Sequence, residues 1–200
     1  EQERDPFQLC GTTIEGKYLI TQVVGDGGFG VVYRAEHQGF HEPVAVKCLK
    51  LPGRMSTRER EMLLSQLREE GRLLLRLSKA SSSIVQALDI GAFTKADGPW
   101  VPYLVLEWLE GETLAHFIKK RADRGEGPLS IAEAVRLLDP AAQALATAHE
   151  QKVAHRDVKP QNLFLAQVGS SRTMKVLDFG IAKVLASHPT LTQMMAETNM

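Results

Sequence analysis

Over KYLITQVVG (17–25), GVVYRAEH (30–37) and EPVAVKCLK (42–50), apolar and polar positions alternate, and β-branched and aromatic side chains dominate. A strand turns successive side chains to opposite faces, so this pattern predicts three strands of an antiparallel sheet. The rhythm then changes. Leu63, Leu67, Leu74 and Leu77 recur in steps of four, seven and three, which lines them along one side of a helix over 57–77. Ser56, with Glu59 three residues later, supplies a capping box at its start. SIVQALDIGAF (83–93) and VPYLVLEWL (101–109) restore strand character on either side of KADGP, whose Asp-Gly marks a turn.

After Gly111 the spacing is helical. TLAHFIKKRADR predicts one helix, a Gly/Pro break at 125–128 ends it, and Ser130 with Glu133 opens a second. Pro140 falls inside the second pattern, where it either kinks the helix or restarts it with Asp139 as N-cap; the pattern leaves both open. Short strands are predicted at 162–166 and 173–177. A β-rich first half thus joins a mainly helical second half through residues near 107–111, an α+β arrangement expected to form two lobes with a cleft between them.

Composition narrows the chemistry. The chain has 200 residues, 44% hydrophobic and 24% charged, enough to bury a sizeable core. Lys+Arg and Asp+Glu both number 24, so no whole-molecule field argues for nucleic acid or an acidic membrane, and charge-driven chemistry must be local. Cys10 and Cys48 are far apart with no His or Cys at ligand spacing, which argues against a disulfide framework or a structural zinc and for a reducing compartment. No apolar run approaches the roughly 20 residues that span a bilayer. The absent initiator Met suggests an excerpt of a longer protein.

Three stretches carry candidate chemistry. The loop Gly25-Asp26-Gly27-Gly28-Phe29-Gly30 lets a backbone approach phosphate oxygens and aim N–H groups at them, although a tight hairpin alone also uses glycines. Val31, Val32 and Tyr33 continue it as strand rather than helix, and no Lys-Ser/Thr pair follows, so dinucleotide-binding and Walker-type loops are excluded; a hairpin lid over phosphates remains. In the strand through Val44–Leu49, Lys47 shares a face with Ala45 and Leu49. Lysines on strands usually reach water. Here Glu70 sits on the apolar stripe between Leu67 and Leu74, while Glu69 points to the polar side; a buried carboxylate wants a cation, and Lys47 is the candidate. Gly71 beside it is a poor helix former, which hints that this helix can shift. The third stretch, VAHRDVKPQNLFL (153–165), sets His155, Arg156, Asp157, Lys159 and Asn162 between two apolar ends. Taken singly, Asp157 and Asn162 are also good turn formers.

In order and at suitable separations, the glycine loop with Val32, Val44-Ala-Val-Lys47, His155-Arg-Asp-Val-Lys-Pro-Gln-Asn162 and Asp178-Phe-Gly180 resemble the eukaryotic-like Ser/Thr protein kinases of bacteria. The resemblance implies a protein-kinase-like two-lobe fold: an antiparallel β-sheet N-lobe with one long helix, and an incomplete, mainly helical C-lobe. It divides the chain into a flank at 1–15, N-lobe and hinge at 16–109, and partial C-lobe ending in the activation segment at 110–200. It implies ATP and Mg²⁺, with Asp157 orienting the attacking hydroxyl, Lys159 on the γ-phosphate, Asn162 and Asp178 on the metal, and Lys47 paired with Glu70. Adenine would lie between Val24, Val32, Ala45 and Leu163, with backbone groups of Glu107 and Leu109 as partners and Leu106 behind it. Lys159-Pro160 matches the Ser/Thr-specific form of the loop, so protein Ser and Thr hydroxyls are the expected acceptors. His155 and Phe179 are expected to pack rather than react.

By the same resemblance Arg156 would pair with a phosphate on the activation segment, where Ser187, Thr190, Thr192 and Thr198 are acceptors, with Thr190 or Thr192 foremost. Self-association would serve that modification. The basic run at 119–124 is expected to be a solvated face. A cytoplasmic location is expected for the domain, with no nucleic-acid partner. The chain stops at Met200, before any Ala-Pro-Glu-like motif.

Overall fold

The computed structural model describes residues 5–28, 30–51, 55–95 and 98–179, which fold as two compact units. Of the described residues, the first takes those up to Arg72 together with Ala87–Trp108, and the second takes Leu73–Gln86 and those from Leu109 on.

The first unit is built on a six-stranded antiparallel sheet in the order β1-β2-β3-β4-β6-β5. The strands are β1 (Thr13–Ile14), β2 (Tyr18–Gly27), β3 (Gly30–His37), β4 (Glu42–Leu49), β5 (Ala87–Thr94) and β6 (Trp100–Glu107). Residues paired across strands share a face, so the register sorts the side chains. Val31, Tyr33, Val46, Cys48, Tyr103 and Val105 fall on one face, inside the main apolar cluster. Residues 5–14, set apart in sequence as a flank, close over that cluster: Leu9 and Ile14 are each 3% exposed. All three tyrosines of the chain tie this layer down. Tyr33 Oη donates to Asp5 at 2.6 Å, Tyr103 Oη to Glu15 at 2.7 Å, and Tyr18 Oη to Asp89 at 2.7 Å. Burial and the neighbouring carboxylates push all three phenols well up. Burial alone would raise Asp5, but hydrogen bonds from the Cys10 backbone and Tyr33 outweigh it and hold the carboxyl low.

The long helix α1 (Thr57–Ala80) begins at the Ser56–Glu59 capping box and buries Leu63, Leu67, Leu74 and Leu77 as the spacing predicts. Gly71 has a packing reason. A Cβ there would lie 2.0 Å from Ile90 Cδ1, so the missing side chain lets the helix sit close on β5. Residues 83–86, expected as strand, precede β5. Ile84 instead bridges Val176, and Val176 N–H donates to the Ser83 carbonyl at 2.7 Å.

The second unit holds α2 (Leu114–Asp123), α3 (Ile131–Glu150) and a three-stranded antiparallel sheet, β7 (Gly111–Thr113), β8 (Leu163–Val168) and β9 (Ser171–Val176). The short β7 escaped the sequence pattern. Gly111 starts it at φ 141°, where a Cβ would meet the Leu165 carbonyl. Ser130 and Glu133 form the expected capping box. The helix then runs on through Pro140 without a restart, burying Ala141, Ala144 and Ala148 as it packs on β9. The basic run is largely spent on local ion pairs, Lys120 with Glu112 at 3.0 Å and Arg121 with Glu126 at 2.7 Å.

Candidate active site

In the first unit, the sheet face opposite the tyrosines carries the expected nucleotide-side residues. Val32, Lys47, Leu104 and Ile90 form one cross-strand row, and Ala45 with Leu106 forms the next. Gly71 of α1 packs on Ile90, so α1 covers the face from which Lys47 projects. Lys47 is 7% exposed. Glu70 is half-buried on the stripe of Leu67 and Leu74, whereas Glu69 is exposed.

The glycine loop is the β2–β3 hairpin, closing at the Gly27–Gly30 pair, with Phe29 outside the described residues. Gly30 is needed by the fold, because a Cβ would sit 2.5 Å from the Cys48 carbonyl. Gly25 and Gly28 are not: a Cβ at either meets open space, and neither has a positive φ. Glycine where neither sterics nor backbone demands it leaves room for something else to approach the main chain. Val24 sits in the β2 bulge between Val23 and Gly25. Asp26 is ion-paired with Lys50. Leu106 is buried and Glu107 half-buried at the end of β6. Arg34 stacks over the Trp108 ring beside them, a contact that no sequence spacing signals.

In the second unit the loop 155–162 is held by a small polar network. Asp157 N–H can only donate, so His155 Nδ1 accepts it at 3.2 Å; the ring proton is therefore on Nε2, which donates to the Leu177 carbonyl at 2.7 Å. Leu177 N–H donates to the Asn162 carbonyl at 2.9 Å. The peptide groups of Leu177 are thus pinned from both sides, and Asp178 follows directly in the left-handed region at φ 57°. His155 is 4% exposed and meets the Phe179 ring edge-on at 4.6 Å, so it acts as the fastener between the two loops.

Asn162 Nδ2 donates to both the Asp157 carbonyl and its Oδ2, each at 2.9 Å. Lys159 Nζ lies 2.8 Å from the same Oδ2. Burial pushes the Asp157 carboxyl up, but the hydrogen bonds from Lys159 and Asn162 and the Lys159 charge outweigh it, and the group is held below its ordinary value. Asp157 is an anion at neutral pH. Of the described residues, the buried polar or charged ones are Lys47, His155 and Asn162. Burying such groups is costly unless they are partnered, and His155 and Asn162 are buried with the hydrogen bonds just described.

The amide orientation bears on metal binding. With both Nδ2 hydrogens turned to Asp157, Asn162 Oδ1 is the atom left for a cation. Among the described residues no group of three or more His, Cys, Asp or Glu could cage an ion. Asn162 and Asp178 carry hard oxygen donors, a chemistry suited to a divalent cation that keeps waters and phosphate oxygens as its remaining ligands. Leu163 is 7% exposed beside this loop, and Leu109 is half-buried at the start of the unit. Gly180 and the candidate acceptors Ser187, Thr190, Thr192 and Thr198 lie outside the described residues, as does the Asp97 of the expected turn.

An antiparallel sheet with one long helix, followed by a helical unit whose polar loop is fastened to an Asp-Phe pair, defines a protein kinase fold. Residues 18–199 match the protein kinase domain family, and the chain belongs to it. It is 34% identical over 179 residues to a probable serine/threonine-protein kinase of Clostridium perfringens, covering 90% of this chain and 23% of that one. It is 33% identical to the serine/threonine-protein kinase PrkC of Bacillus subtilis, covering 90% and 25%. With PknB of Mycobacterium leprae the figures are 31%, 92% and 27%. The chain thus spans about a quarter of the length of the curated relatives it matches. Among solved structures, the PknI kinase domain of Mycobacterium tuberculosis superposes with a TM-score of 0.63 at 27% identity, covering 86% of this chain and 62% of that one.

Proposed function

We propose that this chain carries the catalytic residues of an ATP-dependent kinase that phosphorylates Ser and Thr hydroxyls of proteins in bacterial signalling. The observation that carries the reading is the Asp157–Lys159–Asn162 network with Asp178 fastened to it through Leu177. Phosphoryl transfer needs little covalent help; it needs an alcohol held in line with the γ-phosphorus and compensation for charge on the phosphate oxygens. Asp157, kept ionised by Lys159 and Asn162, accepts a hydrogen bond from the acceptor hydroxyl and orients its oxygen. As that oxygen bonds to phosphorus, the bond to the β–γ bridging oxygen breaks, ADP departs, and the hydroxyl proton passes to Asp157 and then to water. Lys159 has two further N–H donors for γ-phosphate oxygens. A divalent cation held by Asn162 and Asp178 would neutralise charge across the β- and γ-phosphates.

In this reading Lys47, paired with Glu70, steadies the nucleotide phosphates under the backbone of Gly25–Gly30. Adenine rests on Val24, Val32, Ala45 and Leu163 and bonds to the backbone of Glu107 and Leu109, with Leu106 behind. Residues 16–109 then act as N-lobe and hinge, and 110–200 as part of the C-lobe. Arg156, exposed at φ 66°, would receive a phosphate at Thr190 or Thr192, added by a second copy. Mass spectrometry of active enzyme without phosphate at either threonine would rule that role out. Because ATP is the donor, the reading sets the domain on the cytoplasmic side; no described helix is long and apolar enough to cross a membrane.

The test is acceptor choice. Given γ-labelled ATP and Mg²⁺, the full chain should label Ser and Thr of generic protein substrates and leave aminoglycosides and choline unlabelled. Nucleotide binding without labelling of any acceptor would make it a silent scaffold. Labelling of the small molecules alone would make it a small-molecule kinase.

A further inference from the structure

Between Gly25 and Gly28, Asp26 is the one residue with a side chain, and the catalytic reading leaves that side chain without a task. The register shows which way it faces. Gly25 pairs with Val32 and Val32 with Lys47, while Gly27 pairs with Gly30 and Gly30 with Leu49, so these three glycines lie on the Lys47 face of the sheet. Asp26 pairs with Val31 and Val31 with Cys48, which puts it on the opposite face, that of the main apolar cluster. There its carboxylate is ion-paired with the ammonium of Lys50, two residues past Cys48 and just beyond the end of β4. Among the described residues each is the other's only ion-pair partner.

The pair is an unpromising source of stability. Its side chains are 36% and 41% exposed, and an ion pair so open to water contributes little to folding. Its placement is more informative. The hairpin has little of its own to hold it, since a Cβ at Gly25 or Gly28 would meet open space and backbone without side chains is the freest to move. Asp26 also sets a negative charge in a loop read as approaching phosphates, where alone it would repel them. Lys50 answers both problems from behind the sheet.

We propose that Asp26 and Lys50 are positioning residues for the nucleotide triphosphate. Their ion pair ties the back of the glycine hairpin to β4, the strand that carries Lys47, and so holds the hairpin N–H groups over the phosphates. It also cancels the one negative charge in the loop. Both side chains act from the far face, without touching the nucleotide. The inference rests on the kinase reading and deepens it.

The experiment measures the affinity of the full chain for Mg²⁺-ATP and for adenosine by titration calorimetry at low ionic strength. Adenosine has no phosphates, so it reads the adenine slot alone. Lys50→Gln loses the tie and leaves Asp26 unopposed, and it should weaken Mg²⁺-ATP about fivefold. Asp26→Asn loses the tie together with the repelling charge, and the loss should be about twofold. Adenosine affinity should match wild type in both, which a general loosening of the fold would not allow. The exchanged pair Asp26→Lys/Lys50→Asp remakes the tie and should recover most of the lost Mg²⁺-ATP affinity. Unchanged Mg²⁺-ATP affinity in Lys50→Gln, an equal loss for adenosine and Mg²⁺-ATP, or no recovery in the exchanged pair would each overturn the proposal while leaving the kinase reading in place. A wild-type chain that binds neither ligand would overturn both.

Discussion

The outer layer of the first unit and the loop 155–162 of the second both rest on hydrogen bonds to carboxylates, yet they are built for opposite ends. In the outer layer, Asp5, Glu15 and Asp89 each receive one tyrosine hydroxyl at the margin of a large apolar cluster. Each bond finishes a surface that burial already holds. In the loop, a single carboxylate receives both an ammonium and an amide. Arg156 in that loop and Asp178 in the segment fastened to it take left-handed backbone, each at a cost of order 1 kcal/mol or more. Polar bonds stabilise the first region and position groups in the second. Substitutions should therefore separate stability from rate.

The largest separation is expected at His155. His155→Ala removes the fastener between the loop and Leu177, and displacement of Asp178 by even about 1 Å should lower kcat roughly 10²-fold. The orphaned Leu177 carbonyl should cost about 1–3 kcal/mol. Steady-state kinetics beside denaturant unfolding reads both, and an unchanged kcat would break the contrast.

Tyr33→Phe is the counterpart. It strips the charge-assisted bond from Asp5 and should destabilise by about 1.5–3 kcal/mol with kcat and KM unaltered. A rate loss there would mean that the outer layer also positions catalytic groups.

The smallest effect is a pH shift. In the wild type the Asp157 carboxyl titrates low, so the stability from its pairing is present above the ordinary aspartate value and is lost as pH falls through the depressed one. Lys159→Ala removes two of the lowering influences and leaves burial, the largest, opposed mainly by Asn162. The carboxyl then rises, and the acid limb of kcat/KM should move to higher pH. A limb that stays put would show that Asp157 does not govern it.

These contrasts also mark what the chain reveals before it folds. The hairpin strands β2 to β4, the capping boxes at Ser56 and Ser130, and the stripe through Leu63 and Leu77 were legible because each depends on residues a few positions apart. The residues of the polar loop were legible for the same reason, crowded as they are into 155–162. Their fastening was not. Leu177 is an apolar residue that takes part through its peptide groups, which no side-chain pattern reports. The closure of residues 5–15 over Tyr33 and Tyr103 includes a bond between positions 88 apart in sequence, and alternation along one strand cannot show what covers it. The packing reason for Gly71 was hidden in the same way: its absent side chain answers to Ile90, on another element. Pro140 left a kink and a restart open, and the structure excludes the restart: α3 runs unbroken from Ile131 to Glu150, with Ala141, Ala144 and Ala148 buried as it packs on β9.

The central claim, that Asp157 is placed for phosphoryl transfer and not for holding the fold or the nucleotide, is tested most directly with Asp157→Asn. Transfer of labelled γ-phosphate to a Ser/Thr protein substrate and affinity for Mg²⁺-ATP are measured on the same preparation of the full chain. The account predicts transfer reduced by about 10²–10⁴-fold with nucleotide affinity within a few-fold of wild type. Transfer at the wild-type rate, or a loss of transfer matched by an equal loss of nucleotide affinity, would contradict it.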